Sequence, residues 1–337
     1  MGNGVRCQMI LLSYGTRPEY IKLLPLIKEL KKENLPVKIV QIGQHTSLLN
    51  DDYDDRLQVF KRENRLDSIV TSVLAHGNHL YKGISHVVVQ GDTTSAMAVG
   101  LGAFHREIPV YHIEAGLRTG DKQNPYPEEA NRRILSAIAS THFCPTKKDK
   151  INLIVEGFEK DKIVVTGNTA IDNLKGIKSG SSQEILVTMH RRENLDSLDS
   201  WFSSIEELAE KYPQYKFVCP AHPNPLVQHH ARDIFKKVRV IKPLEHLEMV
   251  RRIAKCKLVI TDSGGIQEEC SWFKKLCFVC RMATERPSQS GVLCRHPHIL
   301  VDNFKLNHNR VITQTCPFGD GNAARKIAEQ ICQDVLK

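Results

Sequence analysis

The sequence predicts an α/β protein built from two doubly wound, parallel-sheet domains. Short apolar runs alternate with longer amphipathic stretches, the pattern of βα units in a parallel sheet. The alternation breaks at a polar, Gly/Ser-rich stretch, Lys175 to Gln183, and then restarts, as a linker between domains would have it. A length of 337 residues suits two domains, each long enough to bury its own core.

In chain order, Cys7 to Ser13 reads as the first strand and Pro18 to Lys32 as a helix, with Pro18 suited to its first turn. Val37 to Ile42, His86 to Gln90 and Val110 to Ile113 are further buried strands, and Thr94 to Phe104 is an Ala/Gly-rich helix. Glu128 to Ser140 is a helix, His142 to Cys144 a short strand, and Lys162 to Thr166 closes this half. After the linker, Glu184 to Thr188, Lys216 to Cys219, Arg239 to Ile241, Lys257 to Thr261 and Leu276 to Cys280 are strands. Ser200 to Lys211, Leu244 to Ala254 and Gly265 to Phe273 are the helices between them, and Ala323 to Leu336 is a terminal amphipathic helix.

The net charge of +9 suits an anionic partner, whether nucleic acid, membrane surface or phosphorylated small molecule, or else a solvated basic surface. No apolar run approaches a membrane span. Arg6 stands where a myristoylation motif needs Ser or Thr, and the apolar stretch after it is too short for a signal-peptide core. A cytoplasmic location is therefore expected. Cys277 and Cys280 have metal-site spacing but sit in a strand-like apolar run, with no second such pair. Buried structural cysteines are the expectation, with no metal.

Ligands of open α/β sheets bind beyond the carboxyl ends of the strands. Five polar motifs stand there. Gly15-Thr16-Arg17-Pro18-Glu19 follows the first strand; it is either an anion site at a helix start or an ordinary turn with a surface Arg. Asp92, in Gly91-Asp92-Thr93-Thr94, either projects from its strand end or caps the next helix. Glu114 directly follows a buried strand and is hard to explain as core. Glu128 and Glu129 open a helix, where acids also suit the helix dipole. Such acids together could supply general acid and base groups. His190-Arg191-Arg192-Glu193 follows the first strand of the second half, and Asp262-Ser263-Gly264-Gly265 turns a strand into a helix whose N–H groups can cradle a pyrophosphate. Glu269 lies about one turn in, where a carboxylate can take two ribose hydroxyls. The arrangement lacks the GxGxxG fingerprint, so no nicotinamide cofactor is inferred.

Those motifs occur in order with Gly43-Gln44-His45, Ile113-Glu114-Ala115-Gly116-Leu117-Arg118, Pro127-Glu128-Glu129-Ala130-Asn131-Arg132, Gly167-Asn168-Thr169 and Thr284-Glu285-Arg286-Pro287. The ordered set resembles the non-hydrolysing UDP-N-acetylglucosamine 2-epimerase family over nearly the whole chain. The resemblance implies the glycosyltransferase-B architecture, two Rossmann-like domains with the active site in the interdomain cleft, and a homodimer serving polysaccharide biosynthesis. It implies an N-terminal domain over 5–173 carrying the catalytic acids, a helix over 322–337 packing back on it, and a UDP-binding domain over 174–321. It implies catalytic roles for Asp92, Glu114, Glu128 and His190. Arg17, Ser263, Gly264, Gly265, Glu269 and Arg286 would bind the UDP-sugar. Gln44, His45, Arg191 and His222 match parts of an allosteric second site.

The implied reaction is reversible inversion at C2 by elimination and re-addition of UDP through a glycal, with no cofactor. The chain departs from the family pattern in a shortened segment between His45 and Gly91, and in Ser288-Gln289-Ser290-Gly291, where an acidic residue usually follows Arg286-Pro287. The alternatives are a 2-epimerase of another UDP-2-acetamido sugar, a hydrolysing epimerase, and a retaining glycosyltransferase on the same fold. A nucleic-acid-binding protein is disfavoured, because basic residues are spread out and aromatics are few.

Overall fold

The structure, a computed structural model, describes residues 9–43, 53–222, 224–286 and 288–335. The chain divides into two compact units, one running to Asn173 and resuming at Gly319, the other Leu174–Phe318. The first unit contains β1 (Met9–Tyr14), α1 (Arg17–Lys32), β2 (Val37–Ile42), β3 (Asp55–Leu57), α2 (Arg65–Ala75), α3 (Gly77–Leu80) and β4 (Ile84–Gln90). It continues through α4 (Thr94–Phe104), β5 (Val110–Ile113), α5 (Glu128–Ile138), β6 (Thr141–Cys144), α6 (Lys147–Val155), β7 (Ile163–Val165) and α7 (Thr169–Asp172). Its strands form one parallel sheet in the order β3-β2-β1-β4-β5-β6-β7.

Both faces of that sheet are covered, which is why its strands read as continuous apolar runs. On β1, Ile10, Leu12 and Tyr14 point into one core with Val88 and Tyr111, whereas Leu11 points into the other with Val87 and Val89. Helix α1 buries Leu23, Leu26, Ile27 and Leu30, at the spacing of a single helical face.

The second unit contains β8 (Glu184–Thr188), α8 (Leu198–Lys211), β9 (Lys216–Pro220), α9 (Pro225–Ile234), β10 (Arg239–Ile241), α10 (His246–Lys255), β11 (Leu258–Thr261), α11 (Gly264–Trp272), β12 (Leu276–Cys280), β13 (Gly291–Cys294) and α12 (Pro297–Asn307). Its sheet is also parallel, ordered β10-β9-β8-β11-β12-β13. The last helix, α13 (Ala323–Val335), belongs to the first unit, where Ile327, Ala328 and Ile331 join the core that holds Leu23 and Leu26. The Asp172 carboxylate fixes its start by accepting from Ala323 N at 3.1 Å and Ala324 N at 2.7 Å.

Both sheets are of the Rossmann-like, doubly wound class that the sequence predicts. Several elements were not foreseen: β3, α2, α3, α6, α7, α9, β13 and α12. The Gly/Ser-rich stretch expected to be a linker is irregular but tied to the second unit, with Gly180 N donating to Ala254 O at 2.9 Å and Lys275 Nζ to Gly180 O at 2.5 Å. Among the described residues no helix is long and apolar enough to cross a membrane.

Each sheet reverses direction of winding between its first strand and the next crossover, at β1/β4 and at β8/β11. Those switch points are where a doubly wound sheet opens a crevice for a ligand.

Candidate active site

At the first switch point, β1 runs into the turn carrying Arg17, the first residue of α1, and β4 into Gly91 and Asp92. Asp92 does not cap α4. Thr93 does, its hydroxyl accepting from Ala96 N at 3.1 Å. The Asp92 carboxylate is instead held by Arg132, whose Nε and Nη2 lie 2.8 and 2.6 Å from Oδ2. Asn131 Nδ2 donates to the Asp92 carbonyl at 2.9 Å. Helix α5 therefore reaches back to Asp92 through two consecutive residues.

Glu114 follows β5 in the left-handed region, with φ of 64°, a conformation that costs a non-Gly residue about 1–3 kcal/mol and collects at functional positions. Its buried carboxylate accepts from Lys22 Nζ at 2.8 and 2.6 Å, from Gln90 Nε2 at 2.6 Å and from Asn168 Nδ2 at 3.3 Å. A buried charge is stable only when paired and bonded in this way. Beneath it, His112 Nε2 meets the Gly91 carbonyl at 2.8 Å, and burial pushes this imidazole down to about 4, so it is neutral.

The two acids that open α5 have different surroundings. Glu129 is fully buried; it accepts from Thr119 N at 3.1 Å and Gly120 N at 3.4 Å and pairs with Arg132 at 3.3 Å. It anchors a loop and orients the guanidinium that holds Asp92. Glu128 is half-buried at the helix N-terminus.

At the second switch point, Asp262 is fully buried and organises the turn after β8. It accepts from His190 N at 3.2 and 3.0 Å, Arg191 N at 2.9 Å and Asn194 Nδ2 at 3.1 Å. His190 stacks on His222, with centroids 4.7 Å apart and planes at 9°. Burial, then the neighbouring His190, holds His222 below its ordinary value. Arg191 lies in the same cluster, and burial, followed by Arg281, lowers its affinity for its proton. Two of the four residues expected to regulate thus sit beside His190; Gln44 and His45 lie outside the described residues.

Ser263 precedes α11, whose first two residues are Gly264 and Gly265. The N–H groups of a helix start favour an anion. Arg286 leans over this start: a Cβ on Gly264 would come within 2.8 Å of Arg286 Nη1, whereas one on Gly265 would meet nothing within 4 Å. The guanidinium is locked by Glu268, at 2.6 Å from Nε, and by Glu285 on Nη1. Glu269, one turn along α11, is buried with Oε1 3.2 Å from His246 Nε2. Arg17, Asp92 and Glu114 thus lie at neighbouring strand ends of one unit, and His190, Ser263–Gly265, Glu269 and Arg286 around the switch point of the other.

The sequence reading missed Lys22 and the anchoring role of Asp262. Lys22 had one local signal, its place three residues after Glu19 on the first turns of α1. Among the described residues no group of three or more His, Cys, Asp or Glu could hold a metal ion.

A family model described as UDP-N-acetylglucosamine 2-epimerase matches residues 28–332. The chain is 36% identical to the UDP-N-acetylglucosamine 2-epimerase of Bacillus subtilis (strain 168), over 96% of this chain and 94% of that protein. It is 35% identical to the protein of the same name from Neisseria meningitidis serogroup A, over 96% and 99%. The crystal structure of the Neisseria meningitidis UDP-GlcNAc 2-epimerase bound to UDP-GlcNAc superposes with a TM-score of 0.88 and 34% identity, covering 97% of this chain and 100% of that one. The chain belongs to the UDP-N-acetylglucosamine 2-epimerase family of enzymes.

Proposed function

We propose that this protein interconverts UDP-N-acetylglucosamine and UDP-N-acetylmannosamine by eliminating UDP across C1 and C2 and adding it back to the resulting glycal. The observation that carries the reading is the pair of carboxylates at adjacent strand ends, Asp92 held by Arg132 and Glu114 by Lys22, in a chain of this family.

The C2 proton of a sugar is poorly acidic, so breaking C2–H without a nicotinamide needs the C1–O bond to break as the proton leaves. Inversion then requires a proton taken from one face of C2 and delivered to the other, hence a group for each face. Asp92 and Glu114 fill those roles, with Glu128 assisting; Arg132 and Lys22 hold the two carboxyl groups in place. The departing diphosphate gathers negative charge, which preorganised donors stabilise. The start of α11 at Ser263, Gly264 and Gly265 holds it, with Arg17, His190 and Arg286 adding charge, and Glu269 holds the ribose hydroxyls. The first unit thus supplies proton transfer and the second binds the nucleotide. The same reading makes the protein a cytoplasmic homodimer that supplies an activated amino sugar for polysaccharide synthesis.

Asp92→Asn tests it. The variant should lose turnover of UDP-N-acetylglucosamine by at least about 100-fold while titrating UDP with unchanged affinity. Turnover near that of the parent protein would remove Asp92 from the mechanism.

A further inference from the structure

Glu19 has a role that its place in the helix does not explain. It stands in the first turn of α1, and its Oε2 accepts from Gly15 N at 3.1 Å and Thr16 Oγ1 at 2.7 Å. That is ordinary service for a carboxylate at a helix start. The other oxygen, Oε1, leaves the element altogether and accepts from Thr93 Oγ1 at 2.6 Å. Thr93 belongs to the next crossover, 74 residues away in sequence, and its hydroxyl oxygen also accepts from Ala96 N at 3.1 Å. The hydroxyl is therefore fixed from both sides.

This bridge spans the switch point between β1 and β4. One end lies two residues from Arg17, the other one residue from Asp92. Glu19 is also only 4% exposed, although a helix start can be capped by an exposed side chain. Burial raises its carboxyl to about 7 against the pull of its hydrogen bonds, an unfavourable setting that capping alone does not require.

We propose that Glu19 is a positioning residue of the epimerisation: its carboxylate ties the turn carrying Arg17 to the turn carrying Asp92, fixing the spacing between a phosphate-holding group and a proton-transferring one. This rests on the epimerase reading above.

The test compares Glu19→Ala, Glu19→Gln, Thr93→Val and Thr93→Ser in the full chain. Glu19→Ala and Thr93→Val cut the bridge, so kcat should fall about 10- to 100-fold with KM little changed, the penalty of a small misplacement of reacting groups. UDP affinity should fall by no more than about threefold, because all of its proposed holders except Arg17 lie in the other unit. Gln and Ser can each rebuild the bridge and should restore kcat to within about threefold. Amide hydrogen exchange at Gly15 should quicken in Thr93→Val, which a purely local cap would not transmit. Should Glu19→Ala fail to fold, Thr93→Val carries the same comparison. A normal kcat in Thr93→Val, or kcat lost in Glu19→Gln as fully as in Glu19→Ala, would overturn the proposal. If the parent protein turns over no UDP-sugar, the epimerase reading fails, and unchanged exchange at Gly15 would separately remove the tie.

Discussion

Asp262→Ala removes the buried carboxylate that organises the turn after β8. Three donors converge on the carboxylate: His190 N, Arg191 N and Asn194 Nδ2. Asn194 keeps a second acceptor, the Cys280 carbonyl at 3.0 Å, so the substitution strands two backbone N–H groups. A buried donor left unmade costs about 1–3 kcal/mol, giving a ceiling of about 6. Water entering the vacated volume lowers this, and about 3 kcal/mol is expected. Asp262→Asn keeps one acceptor oxygen and should cost about 1 kcal/mol, mainly the lost charge assistance. Urea unfolding followed by tryptophan fluorescence suits the measurement. Both tryptophans of the chain, Trp201 and Trp272, lie in the second unit, so the signal reports on that unit. If Asp262→Ala unfolds within about 0.5 kcal/mol of the parent, the turn is not held by this carboxylate and the reasoning is wrong.

Two further outcomes follow from the geometry. Gly264→Ala forces its Cβ against a guanidinium that Glu268 and Glu285 hold in place, whereas Gly265→Ala meets open space; UDP titrations should show affinity about tenfold weaker for the first and nearly unchanged for the second, and equal losses would argue against the α11 start as the diphosphate site. For Glu19, burial raises the folded-state carboxyl from 4.5 to about 7, so the folded chain holds this proton more tightly than the unfolded one. Stability from this group is full below about pH 4.5 and declines up to about pH 7, by roughly 3 kcal/mol. Calorimetric unfolding across that range should therefore show Glu19→Gln gaining on the parent as pH rises, and parallel pH curves would contradict it.

How much of this was legible beforehand depended on whether the signal was local. Leu276–Cys280 is an uninterrupted apolar run and Val110–Ile113 is broken only by His112; both are buried throughout, and sequence alone marks their ends. By contrast, β3 is three residues, two of them charged, at a sheet edge, where nothing in composition distinguishes a strand from a loop. Helix α6 has a full capping box, Thr146 with Asp149, but leaves Ile151 and Val155 exposed, which blurs its apolar face. Its start was readable from the cap; its periodicity was not.

The same divide runs through the site. Asp92, Glu114 and Ser263 announce themselves by standing at strand ends. Their partners do not, because Arg132 meets Asp92 across 40 residues, Lys22 meets Glu114 across 92, and Asp262 meets His190 across 72. Such pairings arise only once the sheet has set its strand order. Glu114 has no warning of its left-handed backbone either, since Glu gives none of the cues that Gly or Asn would.

The most direct test is a proton NMR time course of the purified protein with UDP-N-acetylglucosamine in deuterated water. Elimination and re-addition predicts UDP-N-acetylmannosamine appearing with deuterium at C2, and no lasting free UDP. Interconversion with the C2 proton retained, or accumulation of free UDP and N-acetylmannosamine, would contradict it.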